Sequence, residues 1–274
     1  MNRQTNIVIT GCSTGIGLET AQFLQSRFIT VYPTARYKKD VDMLKELGFA
    51  HAMQLDVTKA EQIAQVIDSV LELEGEIDVW FNNAGYGQVG AVEDIETSVL
   101  KKQFETNVFG LQECTRQIIP VMRKQGFGKI IQHSSVLGIV SLFGRGAYNA
   151  SKYAIEGLTD TLRLELKNTE IYPVLLNTGP ITSNFRLTAM KMLEKYVDVE
   201  NSIFSDRYKK SLDGSGKKVP FNEEADVVAS VVHKIILTDK PNPRYYITKA
   251  TYLLGYFKRI LSSSWLDRVL LRVG

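Results

Sequence analysis

Asn6-Ile7-Val8-Ile9-Thr10-Gly11-Cys12-Ser13-Thr14-Gly15-Ile16-Gly17-Leu18 is the stretch on which the fold turns. A run rich in β-branched residues leads into Gly11, Gly15 and Gly17, after which Leu18, Ala21, Phe23 and Leu24 recur at helical spacing. The order is strand, glycine turn, helix. Glycines permit the tight turn and let a bound group approach the backbone, while the free amides and dipole of the helix start favour negative charge. A phosphate-binding loop is therefore expected from Gly11 through Ser13, Thr14, Gly15 and Ile16 to Gly17.

Outward from there, strands and helices alternate. Phe28 to Thr34 reads as a second strand closed by Ala35-Arg36, and Ala52 to Leu55 as a third, followed by Asp56-Val57 and a helix with Ile63, Val66, Ile67 and Val70 on one face. Ile77 to Phe81 is a fourth strand, ending in the turn-forming Asn82-Asn83-Ala84-Gly85. A long helix from about Glu96 to Lys124 carries Asn107, a poor mid-helix residue that needs partners or a function. Lys129 to Gln132 forms a fifth strand running to Ser134-Ser135, and Ile171 to Leu176 a sixth. Between them lies a helix with Ala154, Ile155, Leu158, Leu162 and Leu166 as its expected core stripe. The segment from about 184 to 219 is polar, lysine-rich and broken by Gly214 and Gly216, and reads as a mobile lid or a substrate-binding insertion. Glu223 to Leu237 returns as a helix and Arg244 to Thr248 as an edge strand. This rhythm predicts an α/β fold: a doubly wound, Rossmann-like parallel sheet of about seven strands in the order 3-2-1-4-5-6-7, with helices on both faces. Ligands then gather at the carboxyl ends of the strands, where Gly11 to Gly17, Arg36, Asn83 and Ser135 all fall.

Tyr148 and Lys152 stand four apart, so a helix places them on one face. An ammonium about 5 Å from a phenol contributes roughly 3 kcal/mol at an effective dielectric near 20, or about two pKa units in favour of the phenolate. The pair is thus expected to bring the phenol toward acid/base work near neutral pH. Arg36, at the end of the second strand, offers a donor fork suited to a 2'-phosphate where an acid would suit a free ribose hydroxyl.

The 274 residues carry a net charge of +3 with acids and bases mixed, so nothing calls for nucleic acid. Two cysteines and three scattered histidines predict no metal site. With five residues before the first apolar run and no run of membrane-spanning length, a cytoplasmic body is expected. Residues 1–249 read as one domain and 250–274 as a basic amphipathic appendage, with Leu253, Leu254, Phe257, Ile260 and Leu261 on one helical face and Ser264 with Asp267 as the capping box of a second helix. That appendage is expected either to touch an anionic membrane surface peripherally or, as the plainer reading, to pack on the body or a second subunit.

Thr10-Gly11-x-x-x-Gly15-Ile16-Gly17, Asn82-Asn83-Ala84-Gly85, Asn107, Ser135 and Tyr148-x-x-x-Lys152 together resemble the short-chain dehydrogenase/reductase family in its compact single-domain branch. The resemblance runs from Asn6 to about Thr248, and the chain looks closest to bacterial aldehyde reductases and to steroid and retinol dehydrogenases. It implies hydride transfer between a carbonyl and an alcohol, with NADPH preferred and NAD the alternative. In the implied catalytic set Tyr148 gives or takes the proton, Lys152 lowers its pKa and holds the nicotinamide ribose, Ser135 holds the substrate oxygen, and Asn107 supports a water-linked proton path. Implied cofactor contacts are the glycine loop, Arg36, Asp56, Val57, Asn83, Ala84, Gly85, Tyr148, Lys152, Gly179, Ile181 and Ser183. Ser135, Leu137 and Tyr148 would meet a small-molecule substrate, bulky and apolar, and a homo-oligomer is implied. Thr178-Gly179 and Ser183 stand where the family usually carries a Pro-Gly pair and a threonine, and Thr14 stands where many NADP-preferring members carry a second base. A nucleotide sensor without turnover is the alternative from another class, disfavoured by an intact Asn107, Ser135, Tyr148 and Lys152.

Overall fold

Seven parallel strands form one sheet in the order β3-β2-β1-β4-β5-β6-β7 in the computed structural model, which describes residues 4–213 and 221–273. In chain order these are β1 (Asn6–Ile9), β2 (Thr30–Ala35), β3 (Met53–Gln54), β4 (Val79–Asn82), β5 (Phe127–Ser135), β6 (Glu170–Thr178) and β7 (Arg244–Tyr246). The expected order and parallel sense are those observed.

Alternation along β1 explains the two helical layers. Ile7 and Ile9 face one side, where they pack with α1 (Gly15–Gln25), α2 (Lys38–Glu46) and α9 (Ala225–Leu237). Val8 faces the other, joining Trp80 and Ile130 against α3 (Ala60–Glu74) and α5 (Leu111–Gln125). Each fully buried side chain of this size contributes about 1.5–3 kcal/mol, so the two apolar layers fix the register of the central strands. Ile155 of α6 (Gly146–Glu165) packs with Leu111 and Leu175.

Several local expectations are corrected. Phe28 is not in β2: it takes a left-handed turn at φ 59° and is exposed, so the strand begins at Thr30. Leu158 is 40% exposed and belongs to the outer surface of α6, while Thr159, whose hydroxyl donates to Ile155 O, takes the buried position. The long helix is three pieces, α4 (Thr97–Phe104), a π-helical turn at Glu105–Gly110, and α5.

The lid segment is more ordered than its composition suggested. It forms α7 (Phe185–Tyr196) and α8 (Ser205–Leu212), and Ala189, Leu193, Val197 and Tyr208 build a small core with Val89 and Ala91. Tyr208 Oη accepts from Ala91 N at 2.6 Å and donates to Asp94 at 2.5 Å. Gly214 and Gly216 lie outside the described residues.

Beyond β7, α10 (Lys249–Ile260) and α11 (Ser263–Val273) lie against the loop that follows β5. Leu254 and Leu266 are buried there with Val136 and Val140, flanked by Phe257 and Leu261. The plainer reading of the appendage is therefore correct for its inner face. Two of its details are not: Leu253 and Ile260 point outward, and the first turn of α11 is closed by Ser262, whose carbonyl accepts from Trp265 N and Leu266 N, in place of Ser264.

Candidate functional site

The glycine loop is held by backbone crowding. Gly11 has φ +72°, and a Cβ at Gly17 would stand 2.4 Å from Gly11 O and 2.5 Å from Asn83 Nδ2. No other side chain fits there without moving the backbone. Thr10 Oγ1 accepts from Asn83 N and Ala84 N, both at 2.9 Å, and Asn83 Nδ2 donates to Thr10 O and Gly11 O. Asn83 is therefore more than a turn residue: it fastens the end of β4 to the loop after β1.

From Asn83 a chain of polar contacts crosses the sheet. Asn83 Oδ1 lies 3.0 Å from His133 Nδ1, and His133 Nε2 lies 3.2 Å from Thr178 Oγ1. His133 O accepts from Lys152 Nζ at 2.6 Å. Burial and the nearby ammonium push the imidazole down to about 3, so it is neutral at physiological pH.

Tyr148 is the third residue of α6, and burial pushes its phenol up to about 12. This overturns the expectation that Lys152 would draw it toward neutrality. The lysine ammonium lies 5.6 Å from the ring centroid and directs a hydrogen bond to His133 O, so desolvation of the phenolate wins. The Ser135 hydroxyl, hydrogen-bonded to Tyr148, and the Arg145 guanidinium both favour the phenolate, without reversing the shift. Lys152 itself is held down to about 8 by burial. Ser134 is turned away, its hydroxyl donating to Glu156, which also accepts from Asn177 Nδ2 and Arg244 Nη2 at 2.6 Å each.

Asn107 sits buried in the π-helical turn. Its Oδ1 accepts from Tyr86 N at 3.1 Å, and its Nδ2 donates to Tyr86 O at 3.0 Å and Ser151 Oγ at 3.2 Å. The side chain thus clamps the loop after β4 onto α6, which answers the demand for partners that the sequence raised.

A cavity of about 650 Å³ opens over these strand ends. It is lined by Gly11, Ser13, Thr14, Gly15, Ile16, Gly17, Arg36, Asp56, Val57, Asn83, Ala84, Gly85 and Ser183. Gly179 and Ile181 do not line it, and neither do Asn107, Ser135, Leu137, Tyr148 and Lys152; Lys152 and Tyr148 adjoin it through His133 and Phe185, which do. A Cβ on Gly179 would lie 2.0 Å from Thr248 Oγ1, and Ile181 is buried in the core beside α9, so both positions answer to packing. Leu137 packs with the C-terminal helices, its amide donating to Ser135 Oγ at 3.1 Å.

A family model for short chain dehydrogenases matches residues 5–193. The chain belongs to the short-chain dehydrogenase/reductase family. The relatives it matches are named oxidoreductases and dehydrogenases, among them human retinol dehydrogenase 8, 32% identical over 194 residues, covering 65% of this chain and 60% of that protein. The oxidoreductase YbbO of Escherichia coli K12 is 34% identical over 268 residues, covering 97% of this chain and 94% of that protein. A short-chain dehydrogenase/reductase from Burkholderia phymatum solved in complex with NAD is 25% identical with a TM-score of 0.73, covering 94% of this chain and 92% of that one. Actinorhodin polyketide ketoreductase solved with NADPH is 26% identical with a TM-score of 0.72, covering 89% and 95%.

Within this dehydrogenase/reductase site, the sequence reading missed the contributions of the lid and of two neighbours of known motifs. Phe185, Thr188, Met192 and Tyr196 all line the cavity, and their spacing of three and four is a helical face that could have been read from the sequence. The Phe185 ring stands 5.3 Å from that of Tyr148. Tyr86 and His133 also line the cavity, next to Gly85 and two residues before Ser135. His133 carried no spacing signal.

Proposed function

We propose that the chain reduces aldehydes or ketones to alcohols with NADPH, NAD(H) being the alternative cofactor. The single observation that carries this reading is a buried phenol, Tyr148, hydrogen-bonded to Ser135, with its ring 5.3 Å from that of Phe185, which lines the cavity walled by the glycine loop. The nicotinamide cofactor, when bound, supplies the hydride.

The residues fit such a cofactor. Gly17 leaves backbone open where any Cβ would collide, and the start of α1 offers amides to a diphosphate. Arg36, stacked 4.4 Å over the Tyr37 ring, supports a 2'-phosphate at the far end. Asp56 and Val57 would border the base, and Ser183 the carboxamide.

Tyr148 holds its proton up to about pH 12, the state a donor to a carbonyl oxygen requires. Ser135 would bind the same oxygen and share the charge that develops on it. Lys152, cationic near neutrality, would assist proton return and meet the nicotinamide ribose, and Asn107 would hold the helix turn beside them. Phe143, which packs against the Phe204 ring, and Phe185 favour an apolar substrate. An alcohol dehydrogenase of the steroid or retinol type runs the same steps in reverse.

Purified chain mixed with NADPH or NADH and a panel of carbonyl compounds tests this. Tyr148→Phe is expected to lose about 10²–10⁴ in kcat while binding cofactor as before. Parent-like NADPH oxidation by that variant would end the role given to Tyr148, and cofactor binding without turnover on any carbonyl would favour a sensor.

A further inference from the structure

The inner face of α10 is spent on the body through Leu254 and Phe257, yet a second apolar face remains outside. Tyr252, Tyr256 and Ile260 follow at intervals of four with Leu253 beside them, and all four are exposed. On α11, Trp265 (60%) and Leu271 are also exposed. A helix already anchored on its opposite side has no use for such a stripe in packing its own core.

The charge around the stripe is predominantly positive. From Lys249 onward the chain carries Lys249, Lys258, Arg259, Arg268 and Arg272 against Asp267 alone, and all five cations are exposed. Lys249 and Arg259 stand three residues from Tyr252 and Tyr256, hence beside them on the helix surface. The Arg268 guanidinium lies 4.7 Å over the Trp265 ring.

We infer that the outer face of α10 and α11 docks on an anionic lipid surface, with tyrosine, tryptophan and aliphatic side chains entering the headgroup boundary and the cations meeting lipid phosphates. Tyrosine and tryptophan favour that boundary, and helices lying in its plane combine an apolar face with a basic one. A second copy of this chain suits the face poorly, because two-fold pairing would set the same five cations against each other. No helix among the described residues is long and apolar enough to cross a membrane, so the contact is with the surface. The inner side of the same helices holds the loop after Ser135, which makes lipid surface and site two sides of one helix pair. This inference stands apart from the choice of carbonyl substrate.

The chain supplies its own reporter. It has two tryptophans, and Trp80 is fully buried, so a change in emission on adding vesicles reports Trp265. The full chain is mixed with vesicles of phosphatidylcholine alone or with added phosphatidylglycerol, followed by flotation and emission spectra. Flotation with the anionic vesicles only, a blue shift, and at least about tenfold weaker partition for the triple variant Tyr252→Gln, Tyr256→Gln, Ile260→Gln are expected. The triple variant should keep the parent's circular dichroism and particle mass. Failure of the parent to float on anionic vesicles, or equal flotation of the variant, overturns the inference. So does a parent oligomer that the variant splits, because the occupant is then a second copy.

Discussion

His133 Nδ1 lies 3.0 Å from Asn83 Oδ1, and the surrounding bonds decide which atom holds the proton. Asn83 Nδ2 is committed to two carbonyls, Thr10 O and Gly11 O, so its oxygen faces the imidazole and can only accept. The neutral ring therefore carries its proton on Nδ1, and Nε2 accepts from the Thr178 hydroxyl. His133 joins the glycine loop to the end of β6 in one protonation state only.

Stability in acid should expose this. His133 is held at about 3, below its ordinary 6.5, so the unfolded chain binds a proton that the folded chain refuses between those values. Stability then falls as pH drops through 6.5, by about 3 kcal/mol at pH 4.5, the arithmetic of two pH units. His133→Gln is expected to flatten that arm of a urea-denaturation series relative to the parent; an unchanged slope means the histidine titrates normally.

Lys152 works in the opposite pH range. Its folded value of about 8 lies below the ordinary 10.5, so burial of the ammonium opposes folding below pH 8 and that opposition fades as pH rises toward 10.5. The gain is about 3 kcal/mol across the interval. Lys152→Met should abolish the rise in denaturation midpoint between pH 8 and 10.5. In the parent, carbonyl reduction should decline above pH 8 through one ionisation while Tyr148 remains protonated.

Gly17→Ala tests the glycine loop. The new methyl meets Gly11 O at 2.4 Å and cannot be accommodated by a side chain turning aside. A stability loss of about 1–3 kcal/mol is expected, together with loss of NADPH binding by fluorescence titration. Parent-like cofactor affinity would show that the loop relaxes freely.

Arg36→Gln separates the two cofactors. A charge-assisted bond to phosphate is worth about 1.5–3 kcal/mol, so the Kd for NADPH should rise about 10- to 100-fold with that for NADH nearly constant. An equal rise for both would place Arg36 away from the 2' position.

The sheet was legible because its central strands are largely apolar and β1, β4 and β5 run into glycine, asparagine or serine, a pattern that survives without knowledge of contacts. The positions of Asn83 and Ser135 were legible for the same reason, since they sit at strand ends, and that of Tyr148 from its four-residue spacing to Lys152. The height of the Tyr148 pKa was not, because pair spacing gives the Coulomb attraction but not the desolvation that outweighs it. The lid failed differently: its helices draw their apolar partners from Val89 and Ala91, a hundred residues earlier in the chain, so local composition looked loose. His133 looked like one more strand residue until three separate elements were seen to meet on it.

Val136, next to Ser135, packs against Leu266, which is made far later in the chain. During synthesis the nucleotide cleft can close well before the loop beside Ser135 has its support. A ribosome that stalls or a protease that trims ahead of α11 would therefore release a chain able to hold cofactor yet poorly set to use it, so activity reports on completed chains more faithfully than cofactor binding does.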